Sequence, residues 1–184
     1  MAVCQRTGNR SGEADALNNL GEAEGRLGRY QQAIDHLQQS LSGYRQLANR
    51  TGEGWVYDSL GTVHFRLGEP ALAITHFEQA LVIFGETGER DGESWAYNGL
   101  GEAHYAAGRL DDAVAQHTAA LTVACATGGR YQQARACSGL GDARLGLGDP
   151  AGAREHYERA LALYAALGVP QSDQIRARLA ALDG

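Results

Sequence analysis

Lysine is absent from the 184 residues, and all sixteen basic side chains are arginine. A Schiff-base lysine is thereby excluded. So is the phosphate-cradling G-x-x-x-x-G-K-[ST] loop, which cannot be written without one. Aromatic residues make up only 7% of the chain against 43% hydrophobic overall, so the core must rest mainly on alanine and leucine, as packed helices prefer. Cysteine is scarce. Cys4, Cys125 and Cys137 form neither a C-x-x-C pair nor an even set, which reads as buried thiols in a reducing compartment. No window approaches the roughly 18 continuous apolar residues of a membrane span, and no signal peptide leads the chain. The sequence therefore reads as soluble and cytoplasmic. A net charge of −6 leaves no basic stripe for nucleic acid.

What the chain does have is a period. Leu20-Gly21, Leu60-Gly61, Leu100-Gly101 and Leu140-Gly141 recur at a step of 40 residues, as do Gly28, Gly68, Gly108 and Gly148. Ala33, Ala73, Ala113 and Ala153 keep the same step, followed by Ser40-Leu41, Ala80-Leu81, Ala120-Leu121 and Ala160-Leu161. A fixed period of this length predicts a stacked repeat array rather than a globular domain. Four units are expected at 13–52, 53–92, 93–132 and 133–172, each of two helices. The first helices fall near 13–27, 53–67, 93–107 and 133–147. Trp55, Val56, Leu60, Val63 and Leu67 show the helical spacing. Each first helix stops at a glycine suited to the left-handed conformation. Pro70 and Pro150 suit the first position of the second helix, which runs to about 48, 88, 128 or 168. A glycine inside a helix costs about 1 kcal/mol. Its recurrence after leucine predicts a close approach of backbones, with Ala33, Ala73, Ala113 and Ala153 facing it.

The ends differ. Thr7-Gly8-Asn9-Arg10-Ser11-Gly12-Glu13 matches Thr87-Gly88-Glu89-Arg90-Asp91-Gly92-Glu93, so 1–12 reads as the tail of a preceding repeat helix and its linker, with further repeats upstream. Residues 173–184 read as a capping helix, with Asp173 as N-cap. There Ile175, Leu179 and Leu182 cover the last repeat while Arg176, Arg178 and Asp183 stay wet. The predicted fold is all-α: a right-handed α-solenoid of four antiparallel helix pairs with a C-terminal capping helix.

Small-Leu-Gly on the first helix and Ala-x(6)-Ala-Leu on the second resemble the tetratricopeptide repeat over nearly the whole chain. The 40-residue period is similar to the longer-helix variant of kinesin light chains and bacterial regulators. Glu24, His64, His104 and Arg144 stand where that repeat has tyrosine, so the contact between helices there is expected to be more polar. The linkers T-G-N-R-S-G-E and T-G-E-R-D-G-E, with the ending A-L-G-V-P-x-x-D-x-x-R-A-R-L-A-A-L, resemble the C-terminal repeats of actinobacterial SARP-type and STAND (NB-ARC) transcriptional regulators. That resemblance implies an upstream DNA-binding domain and nucleotide switch, neither contained in these residues.

Carried over residue by residue, the family's ligand groove implies Asp15, Asn18, Glu22, Gly25 and Arg26 in the first repeat, and Trp55, Asp58, Thr62, Phe65 and Arg66 in the second. It implies Trp95, Asn98, Glu102, Tyr105 and Ala106 in the third, and Arg135, Ser138, Asp142, Leu145 and Gly146 in the fourth. Spacings of three and four place each set on one helical face. Asn18 and Asn98 are suited to pairing with a peptide backbone, and Trp55, Phe65, Trp95 and Tyr105 to anchoring it. Alternatively the tryptophans pack against the preceding repeat and the polar groups are solvated. Five acidic against three basic members favour a basic or neutral partner. The family's lysine clamp for acidic C-termini has no residues to build it.

Other chemistry is thinly supported. His36, His76 and His156 share one second-helix position, and His64 and His104 one first-helix position. Equivalent positions lie about 10 Å apart, too far for a compact metal site. Gly146-Leu147-Gly148-Asp149-Pro150-Ala151 fits G-x-G-x-x-A but lacks the strand that a dinucleotide site requires. No metal, no cofactor and no enzymatic constellation is expected. The expected function is binding of a protein or peptide, upstream parts of the same chain included, through the groove. A peptide- or small-molecule-sensing receptor and a self-association scaffold working through the open N-terminal repeat face are the alternatives.

Overall fold

The computed structural model describes the backbone of residues 2–183 and the side chains of residues 10–183. Cys4, one of the expected buried thiols, lies outside the described side chains. Nine α-helices and no strand are present among the described residues. They are α1 (Ala2–Arg26), α2 (Tyr30–Gln46), α3 (Arg50–Arg66), α4 (Pro70–Thr87), α5 (Arg90–Ala106), α6 (Leu110–Thr127), α7 (Arg130–Gly146), α8 (Pro150–Leu167) and α9 (Gln171–Ala181). Joints of two or three residues turn consecutive helices within each unit back on one another.

The joints are built alike. Gly28, Gly68, Gly108 and Gly148 take φ between 74° and 79°, ending each first helix as expected. The residue after each glycine donates its backbone N–H to the carbonyl five back: Arg29 to Glu24, Glu69 to His64, Arg109 to His104, Asp149 to Arg144, at 2.9–3.0 Å. This is the Schellman closure, which usually adds an apolar contact between the same two side chains. Here polar side-chain pairs replace it: Glu24 with Arg29 at 3.2 Å, His64 with Glu69 at 2.7 Å and Arg144 with Asp149 at 3.3 Å. At Glu24, His64 and Arg144 the polar contact is thus with the N-cap residue of the following helix. The joints between repeats use Gly88, Gly128 and Gly168, but the first uses Ala48 at φ 52°.

Internal contacts fall into two compact units, residues 1–92 and 93–184. In the first, α1 packs on α2 and α3, α2 on α3, and α3 on α4. Its core gathers Ala14, Ala33, Leu37, Leu41, Tyr44, Val56, Leu60 and Val63. In the second, α6 packs on α7, α7 on α8 and α8 on α9, around Ala134, Cys137, Ala153, Tyr157, Ala160, Tyr164 and Ile175.

Several expectations are corrected. The side chain nearest each Leu-Gly glycine is not the alanine's but the one four further on, although the Ala33 carbonyl also lies 3.1 Å from a Cβ placed on Gly21. A Cβ on Gly21 would lie 2.6 Å from Leu37, on Gly61 2.7 Å from Phe77, on Gly101 2.5 Å from His117 and on Gly141 2.4 Å from Tyr157. Glycine is required because a large side chain lies flat on the backbone there. Leu60 is 4% exposed, but Leu20 is 42% exposed, because no described helix covers its side of α1. Ala16 and Ala23 are exposed with it, while Val56 and Val63, their equivalents on α3, are buried. The linker expected at 7–12 is helical, since α1 runs unbroken from Ala2. Gly88, by contrast, takes φ 72° and reverses the chain after α4, which packs along α3. Asp173 is not an N-cap. α9 starts two residues earlier, and Asp173 holds Arg176 from within the first turn. Cys125 is exposed on the outer side of α6, while Cys137 is buried and its thiol is pushed up by that burial.

Candidate binding face

The first helices of each unit share a face on which most of the expected groove residues fall. In the first unit, Glu22 is the hub. It accepts from Asn18 at 3.3 Å, from Arg26 at 3.2 Å and from Ser59 of α3 at 3.1 Å. Asp15 accepts from Tyr44, whose hydroxyl is pushed up by burial and then by that carboxylate. Arg66 is exposed and donates to the Gly25 carbonyl at 3.3 Å. Gly25 lies under Val63 and Asp58 is buried. Trp55, Thr62 and Phe65 are half-buried, Trp55 edge-on to Phe84 at 5.0 Å between centroids. Trp55 thus has a packing role against α4 of its own repeat.

In the second unit the face is tied together by charge. Arg135 of α7 meets Glu102 of α5 with two parallel bonds of 2.7 and 2.8 Å, the fork geometry that makes arginine–carboxylate pairs specific. The same guanidinium sits over the Trp95 ring at 5.8 Å, and Trp95 stacks on Tyr131 at 6.2 Å. Asp142 accepts from Tyr157 at 2.7 Å and from Arg178 at 2.8 Å. Burial nevertheless raises the Asp142 carboxyl above the usual range, opposing those two partners. Arg178 also donates to Ser138 at 2.8 Å and lies over the Tyr157 ring. The residue expected to keep one face of the cap wet thus reaches back from α9 onto two expected groove positions. Tyr105, Ala106 and Gly146 are exposed, as are Trp95 and Leu145.

Asn98 stands apart. It is completely buried, its amide nitrogen donating to the backbone and side-chain oxygens of Gln132 at 3.2 and 2.9 Å, and its oxygen 3.1 Å from His117 Nδ1. Pairing with a peptide backbone, the role expected of it, is closed off because its hydrogen bonds are already made inside the unit.

Sequence reasoning missed His117, Arg178 and Tyr131. His117 occupies the column of Leu37, Phe77 and Tyr157, and aligning the repeats on the residue facing the Leu-Gly glycine would have exposed it as the one imidazole there. Burial holds its pKa down at about 4, with Glu102 raising and Arg135 lowering it. Among the described residues no three His, Cys, Asp or Glu side chains gather to hold a metal, and no helix is long and apolar enough to cross a membrane.

The sequence matches the family model described as tetratricopeptide repeat over residues 1–46, 12–86, 52–126 and 92–166. No curated protein matches it. Among solved structures it resembles a Rap protein complexed with Competence and Sporulation Factor, with a TM-score of 0.82 and 17% identity. That match covers 92% of this chain and 48% of the other, so the chain spans about half the length of that relative. BtubC (BKLC) from P. vanneervenii follows, at a TM-score of 0.76 and 18% identity over 99% of this chain and 83% of the other. A Podosopora anserina putative kinesin light chain with nearly identical TPR-like repeats gives 0.72 and 18% over 91% and 84%. At these identities the likeness is one of fold.

Proposed function

The chain belongs to the tetratricopeptide repeat family, and on that premise we propose that it is a binding module, not an enzyme, whose protein or peptide partner docks on the first-helix face. The observation that carries this reading is the exposure of Trp95, Tyr105 and Leu145, at 39%, 43% and 42%, on one braced face. Large exposed side chains of this kind are the groups that anchor partners, and Trp95 is restrained by Tyr131 and Arg135. The Rap protein of similar fold, seen with a bound factor, supports the same use of the architecture. The wider proposal is a cytoplasmic, signalling role: the C-terminal sensor of a larger bacterial transcriptional regulator, in which partner capture biases an upstream switch. It rests on the linker and C-terminal sequence resemblance.

Affinity capture with wild type beside a Trp95→Ala/Tyr105→Ala variant tests the binding role, each captured protein being identified and rebound in purified form. A partner retained by wild type and lost by the folded variant is the expected result. Equal recovery by both would remove function from this face.

A second reading, self-association, is favoured by the exposed Ala16, Leu20 and Ala23 on α1. A mass by light scattering that doubles with concentration, and stays monomeric in Leu20→Arg, would support it. A monomer throughout would dismiss it.

A further inference from the structure

The simple charge tally of the groove positions, five acidic against three basic, misstates what the second unit offers. Its charges are already matched. Glu102 is held by Arg135 through two bonds of 2.7 and 2.8 Å, and Asp142 by Arg178 at 2.8 Å. The third polar group, the Ser138 hydroxyl, is taken by Arg178 at 2.8 Å. Two carboxylates and two guanidinium groups thus cancel across this face. A ligand carboxylate or ammonium brought here must either compete with a formed pair or give up hydration over a surface with no net charge to offset it, a modest cost at these partly exposed pairs. An uncharged ligand meets neither penalty.

Apolar groups stand at the two ends of this neutral strip. Trp95 marks one end of the α5 face and Tyr105 the other, ten residues on. At 1.5 Å per residue the separation is about 15 Å along the helix. Leu145, equivalent to Tyr105 one repeat later, widens the second end onto α7, one helix spacing of about 8–10 Å away. Trp95 stacks on Tyr131 and carries the Arg135 guanidinium over its ring, two contacts from α7 that restrict its orientation.

We infer that the first-helix face of the second unit takes an uncharged segment of extended peptide carrying two large apolar side chains four residues apart. The spacing follows from the geometry, because an extended chain advances about 3.3 Å per residue, so four steps cover about 13 Å, and an even step keeps both side chains on the same side of the peptide. The inference rests on the binding role proposed above and adds the chemistry of the ligand.

The test is selection from a phage-displayed library of random linear peptides on the full chain. Counter-selection uses a Tyr105→Ser/Leu145→Ser variant, which alters two exposed positions and is checked for an unchanged melting curve. The expected pool has two large apolar residues four positions apart and no charge between them. Its synthetic members should lose about tenfold or more in affinity in the variant and in Trp95→Ala, as hot-spot residues do. Their affinity should be nearly independent of salt. A pool rich in Asp and Glu or in Arg and Lys, with affinity falling steeply in salt, would overturn the uncharged ligand and leave the binding role standing. A pool that does not distinguish wild type from the variant would overturn both.

Discussion

Asn98 fixes the tautomer of His117. The Asn98 amide nitrogen is committed to Gln132, so its oxygen, 3.1 Å from His117 Nδ1, accepts, and the imidazole proton sits on Nδ1. The neutral ring is then satisfied on the Asn98 side, while a second proton would place an uncompensated charge in a buried site.

Stability should therefore depend on pH in a defined window. His117 has a native pKa of about 4 against an ordinary value of 6.5, so the unfolded chain takes up a proton that the folded chain refuses. Stability is full above pH 6.5 and falls as pH drops toward 4, by about 3 kcal/mol from this group. His76 and His156, also lowered by burial, add in the same direction. Asp142, raised by burial, opposes them at the acid end. Denaturant melts of His117→Phe, which copies the residue at the Phe77 position, should show a shallower slope across this window. They should also show a loss of about 1–3 kcal/mol at neutral pH, where the Asn98 oxygen is left without its donor. An unchanged slope would move the acid sensitivity elsewhere.

Leu60→Ala and Leu100→Ala each remove a leucine that is 3–4% exposed and should cost about 2–5 kcal/mol. The same change at the exposed Leu20 should stay within about 0.5 kcal/mol. Thermal melts of the three variants side by side decide whether the sequence motif or the covering helix sets the cost.

Ala48→Gly should stabilise the chain. Ala48 holds φ at 52° in the joint where the other three repeats place glycine. A left-handed alanine costs about 1–2 kcal/mol, partly offset by the greater freedom of glycine when unfolded. The expected net gain is about 0.5–1 kcal/mol, read as a higher denaturant midpoint with an unchanged slope.

Two glycine-to-alanine changes inside helices should have opposite signs. Gly85 in α4 has open space where a Cβ would go, so Gly85→Ala should gain about 0.5–1 kcal/mol. At Gly141 the new Cβ would stand 2.4 Å from the ring of Tyr157, itself held by Asp142, and Gly141→Ala should lose about 1–3 kcal/mol. Equal melting shifts for the pair would contradict the packing described.

Much of this was legible in the order of residues, for a physical reason. Glycine at a helix end and leucine on a buried stripe act locally, and the 40-residue period repeats each signal four times. The helices Arg50–Arg66, Arg90–Ala106 and Arg130–Gly146 begin three residues before the positions expected, because the fold turns at the earlier glycine or Ala48 and the arginine after it is already helical. What local patterns cannot show is which long side chain crosses to a neighbouring helix. Arg178 reaching Ser138, Arg135 reaching Glu102 and Asn98 withdrawing onto Gln132 are contacts over 33 to 40 residues. The expected positions Glu102, Arg135, Ser138 and Asp142 do lie as neighbours across α5 and α7. Which charge cancels which is a property of the folded chain alone.

The outer side of α1 repeats in exposed form the pattern that α3 buries, with Ala16, Leu20 and Ala23 where α3 has Val56, Leu60 and Val63. Such a surface is a graft point. A further 40-residue pair whose second helix ends as α2 does, with Leu41 and Tyr44, meets most of its complement there, Ala16 and Ala23 being the smaller positions to enlarge. The array can thus be lengthened there one whole unit at a time with little change to the seam, whereas α9 already occupies the corresponding place on α8.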